Sequence, residues 1–139
     1  MKKIIIGLLI VVLVSMLGCS SSSDGTPSTK KGSCNFPPTV QCLENSVQGN
    51  QFTLTMKSDL QSPIKITNEQ FSLADCSQGS IVSVNADTTL APVIQPGDEF
   101  TITISCSEEI SSLGEAEIKF LYENQDTNLK HSLMGVVSS

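Results

Sequence analysis

From Glu99 to Cys106 the chain reads EFTITISC, and this octet restricts the fold more than any other stretch. Phe100, Ile102, Ile104 and Cys106 occupy alternate positions, with Thr101, Thr103 and Ser105 between them. A period of two places every apolar group on one side of an extended strand and every hydroxyl on the other. The same alternation recurs in FTLTM (Phe52, Leu54, Met56), in IKI (Ile64, Ile66) with Phe71 and Leu73 following, and in the shorter SIVSV at 80–84. It returns in AEIKFLY, which sets Ala116, Ile118, Phe120 and Tyr122 inward and Glu117 and Lys119 outward, and the chain closes on LKHSLMGVV at 129–137. The breaks carry turn formers: Gln61-Ser62-Pro63, Ser77-Gln78-Gly79, Pro96-Gly97-Asp98 and Asn124-Gln125-Asp126. After the N-terminal apolar run, no window shows a helical period. Six or seven short strands with one apolar face each predict an all-β domain over 34–139. The expected form is an immunoglobulin-like antiparallel β-sandwich, with a small barrel as the rival closure.

The N-terminus obeys a different logic. Lys2 and Lys3 precede an apolar run of 14 residues, Ile4 to Leu17, and Gly18 then stands directly before Cys19. A spanning helix needs about 20 apolar residues, so this run is short for a membrane span and suits the helix of an export signal. Met16-Leu17-Gly18-Cys19 resembles a lipobox, the processing site of lipoproteins, with Met16 where Leu is usual and Leu17 bulkier than the common Ala or Ser. In that reading residues 1–18 are a signal peptide, and Cys19 receives a thioether-linked lipid and becomes the new N-terminus. Burial of acyl chains contributes about 0.8 kcal/mol per CH₂, so two or more chains hold a protein on a membrane stably. The following SSSSDGTPSTKKGS offers nothing to bury, and residues 19–33 are expected to form a flexible tether.

The cysteine count agrees. Five is an odd number for an exported chain whose thiols normally pair. Assigning Cys19 to lipid leaves Cys34, Cys42, Cys76 and Cys106, a set with three connectivities. An immunoglobulin-like order runs the third and fifth strands the same way in opposite sheets, which brings Cys76 and Cys106 to one end of the sandwich. That bridge closes a loop of about 30 residues and contributes about 3–4 kcal/mol in the chain-entropy model. Cys34 and Cys42 then pair by default across Pro37-Pro38, a shorter loop that contributes about 2–3 kcal/mol.

Charge and chemistry narrow the function. The chain has 14 acidic and 8 basic residues, and every basic residue is Lys, so no guanidinium fork is available for phosphate. The acidic excess repels a nucleic-acid backbone, and no nucleic acid is expected as a partner. Cleavage after Gly18 would leave six lysines against the 14 acids, a net charge of −8. His131, the only histidine, shares a face with Leu129 and Leu133 and is expected to be a buried or edge residue bonded to backbone rather than a general base. A second His and a Cys-x-x-Cys pair are both missing, so no metal site is expected. Asn85 with Asp87 and Asn124 with Asp126 read as turn chemistry before they read as calcium ligands. Glu108-Glu109 and Glu115-Glu117 read as a solvated face before a glycosidase pair. No cofactor and no enzymatic activity are expected. The terminal GVVSS is a candidate exposed strand, although pairing within the sandwich is the plainer expectation.

The order of elements in 34–139 resembles the head domain of archaeal type IV pilin-like surface proteins. The residues that carry this are Cys34, Cys42, the strand led by Gly49, Cys76, Pro96-Gly97 before a strand ending in Cys106, Tyr122-Glu123-Asn124, and His131 followed by Gly135. The resemblance implies an extracellular β-sandwich displayed in filaments or on the cell surface. Such pilins carry a charged-Gly processing site ahead of a long apolar helix, whereas here Lys31-Gly32 is followed by Ser33-Cys34. The expected protein is therefore a non-enzymatic lipoprotein on the extracellular face of the cell membrane, anchored through Cys19. Its disulfide-stapled sandwich would serve adhesion, envelope structure or protein contact, with surface proteins or further copies as partners. The alternative is a filament subunit assembled through edge strands.

Overall fold

The structure is a computed structural model that describes residues 30–139, and every regular element in it is a β-strand. The strands are β1 (Lys30–Asn35), β2 (Val40–Gln48), β3 (Gln51–Ser58), β4 (Ile64–Leu73), β5 (Ser80–Val84), β6 (Glu99–Ser105), β7 (Ala116–Asn124) and β8 (Lys130–Ser138). All pairings are antiparallel, in the order β4-β7-β8-β1-β2-β3-β6-β5. The result is a nearly closed sandwich or barrel. The signal peptide, Cys19 and the tether as far as Thr29 lie outside the described residues.

There are eight strands where the alternation predicted six or seven, and the differences have physical causes. The strand KKGSCN has no apolar alternation to reveal it, and it takes in Lys30–Ser33, four residues expected in the tether. In β2 a bulge between Cys42 and Glu44 shifts the inward phase from Val40 and Cys42 to Asn45 and Val47, which conceals the period. Conversely, IKI and the Phe71–Leu73 segment belong to one strand, β4, interrupted by an irregularity between Thr67 and Ser72.

The unbroken alternations form the core. Phe52, Leu54 and Met56 of β3 face Ile104, Ile102 and Phe100 of β6 across the ladder, each no more than 1% exposed. Ile118 and Phe120 of β7 are fully buried and join the same cluster with Ile64, Ile94 and Leu113. Burying each such side chain contributes about 1.5–3 kcal/mol.

β1 joins the two halves of the fold. Lys30–Gly32 pair with β2, and Ser33–Asn35 pair with β8. Gly32 sits at the crossing, where a Cβ would run into the Ser138 backbone carbonyl and lie 2.5 Å from Asn45 Oδ1. Asn45, buried on β2, donates from Nδ2 to the Ser33 carbonyl and helps hold the crossing. Phe36 follows as a plug: its ring lies over Gly135, where a Cβ would come within 2.6 Å, and tilts against Phe120 at 6.3 Å.

The opposite seam, between β4 and the β5–β6 region, is held by three kinds of contact. Ile64 and Ile94 exchange backbone hydrogen bonds of 2.9 and 2.8 Å. The Ile81 N–H donates to Asn68 Oδ1 at 2.9 Å. Cys76, just past β4, is bridged to Cys106, just past β6, with a Cα separation of 5.3 Å. The second bridge joins Cys34 to Cys42 at 5.9 Å and ties β1 to β2 across their turn.

Two outcomes follow for stability. Replacing Cys76 and Cys106 with Ala should lower the unfolding free energy by about 3–4 kcal/mol, and replacing Cys34 and Cys42 by about 2–3 kcal/mol, as read by urea denaturation. Equal losses, or the reverse order, would contradict a closure that depends on the longer loop. Gly32→Val should cost more than about 2 kcal/mol by the same measurement, because its obstacle is backbone.

Candidate functional site

Each residue singled out for chemistry has a definite position. His131 is exposed near the start of β8, stacked on Tyr122 with ring centroids 5.3 Å apart and planes inclined by 24°. It pairs with Tyr122 across the ladder, so the stacking is a cross-strand contact and not a buried hydrogen bond to backbone. Of its neighbours on that face, Leu133 is buried and Leu129 is 58% exposed, so the apolar face ends at His131. Partial burial pushes the Tyr122 hydroxyl pKa above its ordinary value.

The Asn and Asp oxygens are engaged locally. Asn124 Oδ1 accepts from the backbone N–H groups of Asp126 and Thr127 at 2.9 and 3.1 Å, shaping the β7–β8 turn. Asn85 Oδ1 accepts from the Thr101 N–H at 2.8 Å, extending the β6 edge beyond the end of β5. Asp87 Oδ1 accepts from the Thr89 hydroxyl at 2.6 Å and from its N–H at 2.8 Å. These bonds favour the carboxylate and hold the Asp87 pKa below the ordinary value. Among the described residues, no three His, Cys, Asp or Glu side chains are grouped as metal ligands.

Glu108, Glu109, Glu115 and Glu117 are all exposed. Among the described residues, two ion pairs lie on the surface. Lys31 reaches Glu44 at 2.9 Å between β1 and β2, and Lys130 reaches both oxygens of Glu69 at 2.7 Å, linking β8 to the irregular part of β4. The hydrogen bond to each carboxylate raises the lysine pKa. With both partners largely in solvent, such pairs position side chains more than they stabilise the fold.

Clefts indent the surface among the described residues, and two of them are notable. One, of about 440 Å³, runs along β4 between Lys65, Thr67, Glu69, Leu90 and Glu123. The other, of about 420 Å³, lies between Ser33, Asn35, Glu115, Val136 and Ser138. His131 lines neither.

The outer face of β8 carries two exposed apolar side chains. Met134 and Val136 are 48% and 42% exposed on the side opposite Leu133, Gly135 and Val137. The candidate exposed strand at the end of the chain is paired on both sides: Val136–Ser138 lie between β1 and β7, apart from Ser138, which β7 does not reach. It is the first half of β8 that lacks a strand partner on the β1 side, because β1 ends at Asn35, Pro37 has no N–H to pair, and the chain turns at Pro38-Thr39. No inspection of KHSLM alone reveals this edge, since it depends on where a strand some 100 residues earlier stops, Asn35 standing opposite Val136. No family model, curated protein or solved structure matches the chain.

The Asp87 turn is testable by titration. The folded pKa is depressed, so any stability it contributes is complete above the unfolded value and fades as pH falls through the folded one. Carboxyl NMR should show Asp87 titrating below the ordinary range, and Thr89→Ala should move its midpoint upward toward that range. An unchanged midpoint would rule out the hydroxyl as the cause.

Proposed function

We propose that this protein is a non-enzymatic lipoprotein held on the extracellular face of the cell membrane through Cys19, presenting its β-domain for adhesion, envelope structure or protein contact. One observation carries the reading. All four cysteines among the described residues are consumed in disulfides, Cys34 with Cys42 and Cys76 with Cys106. Cys19 is left over, directly after a lysine-led apolar run and a small residue. Disulfides form and persist in oxidising, extracytoplasmic settings, which supports export. The odd thiol then has a use as the lipid acceptor.

The domain is read as an immunoglobulin-like head of the archaeal pilin-like kind. Support for that form comes from β4 and β6, which run the same way in opposite halves of the fold and end side by side at the Cys76–Cys106 bridge. A lipid tether in place of a filament-building helix suits display of single heads. The exposed apolar pair Met134 and Val136, side by side on one face of β8, supports contact with another protein.

The intact mass of membrane-extracted protein tests the anchor. The expected species begins at Cys19 with added lipid mass, and four further thiols become alkylatable only after reduction. An unlipidated mass with a free or bridged Cys19 would overturn the reading.

A further inference from the structure

The phase of the hydrogen-bond ladder identifies which backbone groups of β8 have no partner. Asn124 donates to the Leu129 carbonyl, and Tyr122 pairs with His131, Phe120 with Leu133 and Ile118 with Gly135. Alternation then turns the N–H and C=O groups of His131, Leu133, Gly135 and Val137 toward β7. Those of Lys130, Ser132, Met134, Val136 and Ser138 point the other way. Val136 and Ser138 meet Asn35 and Ser33 of β1. Lys130, Ser132 and Met134 meet no strand, and all three residues are exposed. Their N–H and C=O groups form an open row of six at the edge of a three-stranded sheet, β4-β7-β8.

Other edges are covered in part. On β6, beyond the end of β5, Thr101 N–H donates to Asn85 Oδ1 and Asn85 N–H donates to the Thr101 carbonyl. On β4, Ile64 is paired with Ile94, Asn68 with Ile81, and the strand end is bridged through Cys76. On β8 the uncovered row runs through three alternate residues, Lys130, Ser132 and Met134, and such a row is a template for another strand.

We propose that this edge docks a second copy of the same chain, β8 against β8, antiparallel and centred on Ser132. In that register Ser132 lies opposite Ser132 of the second copy, and Lys130 opposite its Met134, with the reciprocal pair completing the row. All six open groups on each copy find partners, because the unpaired residues of one strand meet the unpaired residues of the other. No like charges face each other across the pairing. Each Lys130 ammonium stays with its own Glu69 at 2.7 Å, leaving its methylenes to cover the exposed Met134 opposite. His131 faces Leu133 on the inner side. A strand pair of this length buries little area, so the contact is a weak, reversible one.

The symmetry has a consequence for assembly. A two-fold pairing consumes the edge of both copies and closes, whereas a head-to-tail contact would continue into a filament. The dimer is thus the end point of association through β8. This inference needs only the described fold and does not depend on lipid at Cys19.

The test uses the full chain carrying Cys19→Ser, in mild detergent, so that an engineered cysteine is the sole free thiol. Opposed residues of a hydrogen-bonded antiparallel pair have Cα atoms about 5.5 Å apart, within disulfide reach. Ser132→Cys should therefore give a covalent dimer under mild oxidation, while the exposed Thr88→Cys should not. Ser132→Pro removes the two central hydrogen bonds, and sedimentation should show dimerisation weakened roughly tenfold or more. Cross-linking no greater than that of Thr88→Cys, association of Ser132→Pro equal to the parent, or growth beyond the dimer would each overturn the proposal. A missing lipid mass at Cys19 would leave these readouts untouched, so the two ideas fail separately.

Discussion

The structure depends on β1 changing partners at Gly32. One short strand gives its first half to β2 and its second half to β8, so two packed layers become one continuous ladder. The crossing is possible because Gly32 has no side chain where the Ser138 carbonyl passes. Asn45, Ser33 and Ser138 surround it with polar contacts that keep the junction paired. Were β1 to stay with β2 alone, β8 would be open along its whole length and Val137 would lose its strand neighbour at Cys34. The Cys34–Cys42 bridge fastens this hairpin where the turn residues Pro37 and Pro38 contribute few backbone bonds.

The far seam uses different means for the same purpose. Between β4 and the β5–β6 region a regular ladder is replaced by one backbone pair, one Asn side chain and a disulfide. A domain with few aromatic side chains has limited apolar area to offer, and a covalent link across the weakest seam compensates by constraining the unfolded chain. The first half of β8 remains uncovered, and the reason is the same β1 that secures the second half. Closure and exposure on β8 have one cause: the strand pairing ends at Asn35, Phe36 packs over Gly135, and the chain then turns at Pro38-Thr39.

Legibility in the sequence followed the regularity of the alternation. The strands β3, β6 and β7 were readable because each alternates without interruption and one face enters the core. The strand β2 was not, since a single extra residue near Leu43 reverses its phase, and β1 was not, since its burial is decided by neighbours and not by apolar side chains. The surface was less legible still. His131 was expected to bond to backbone near an apolar face, yet it lies in solvent against Tyr122, because the core stops at Leu133. The Asn and Asp turn residues kept the local roles that their chemistry suggests.

By itself, the sequence determined a β domain with a four-cysteine set, and it marked Cys19 as the cysteine set apart from the other four. Those are local properties: a period of two, a count of thiols, an apolar run ahead of a cysteine. The tertiary structure alone decided that the layers join through β1, which of three disulfide pairings is formed, and which half of β8 is left open. Each of these depends on contacts between residues far apart in the chain, such as Ser33 with Ser138, where local preference carries no information.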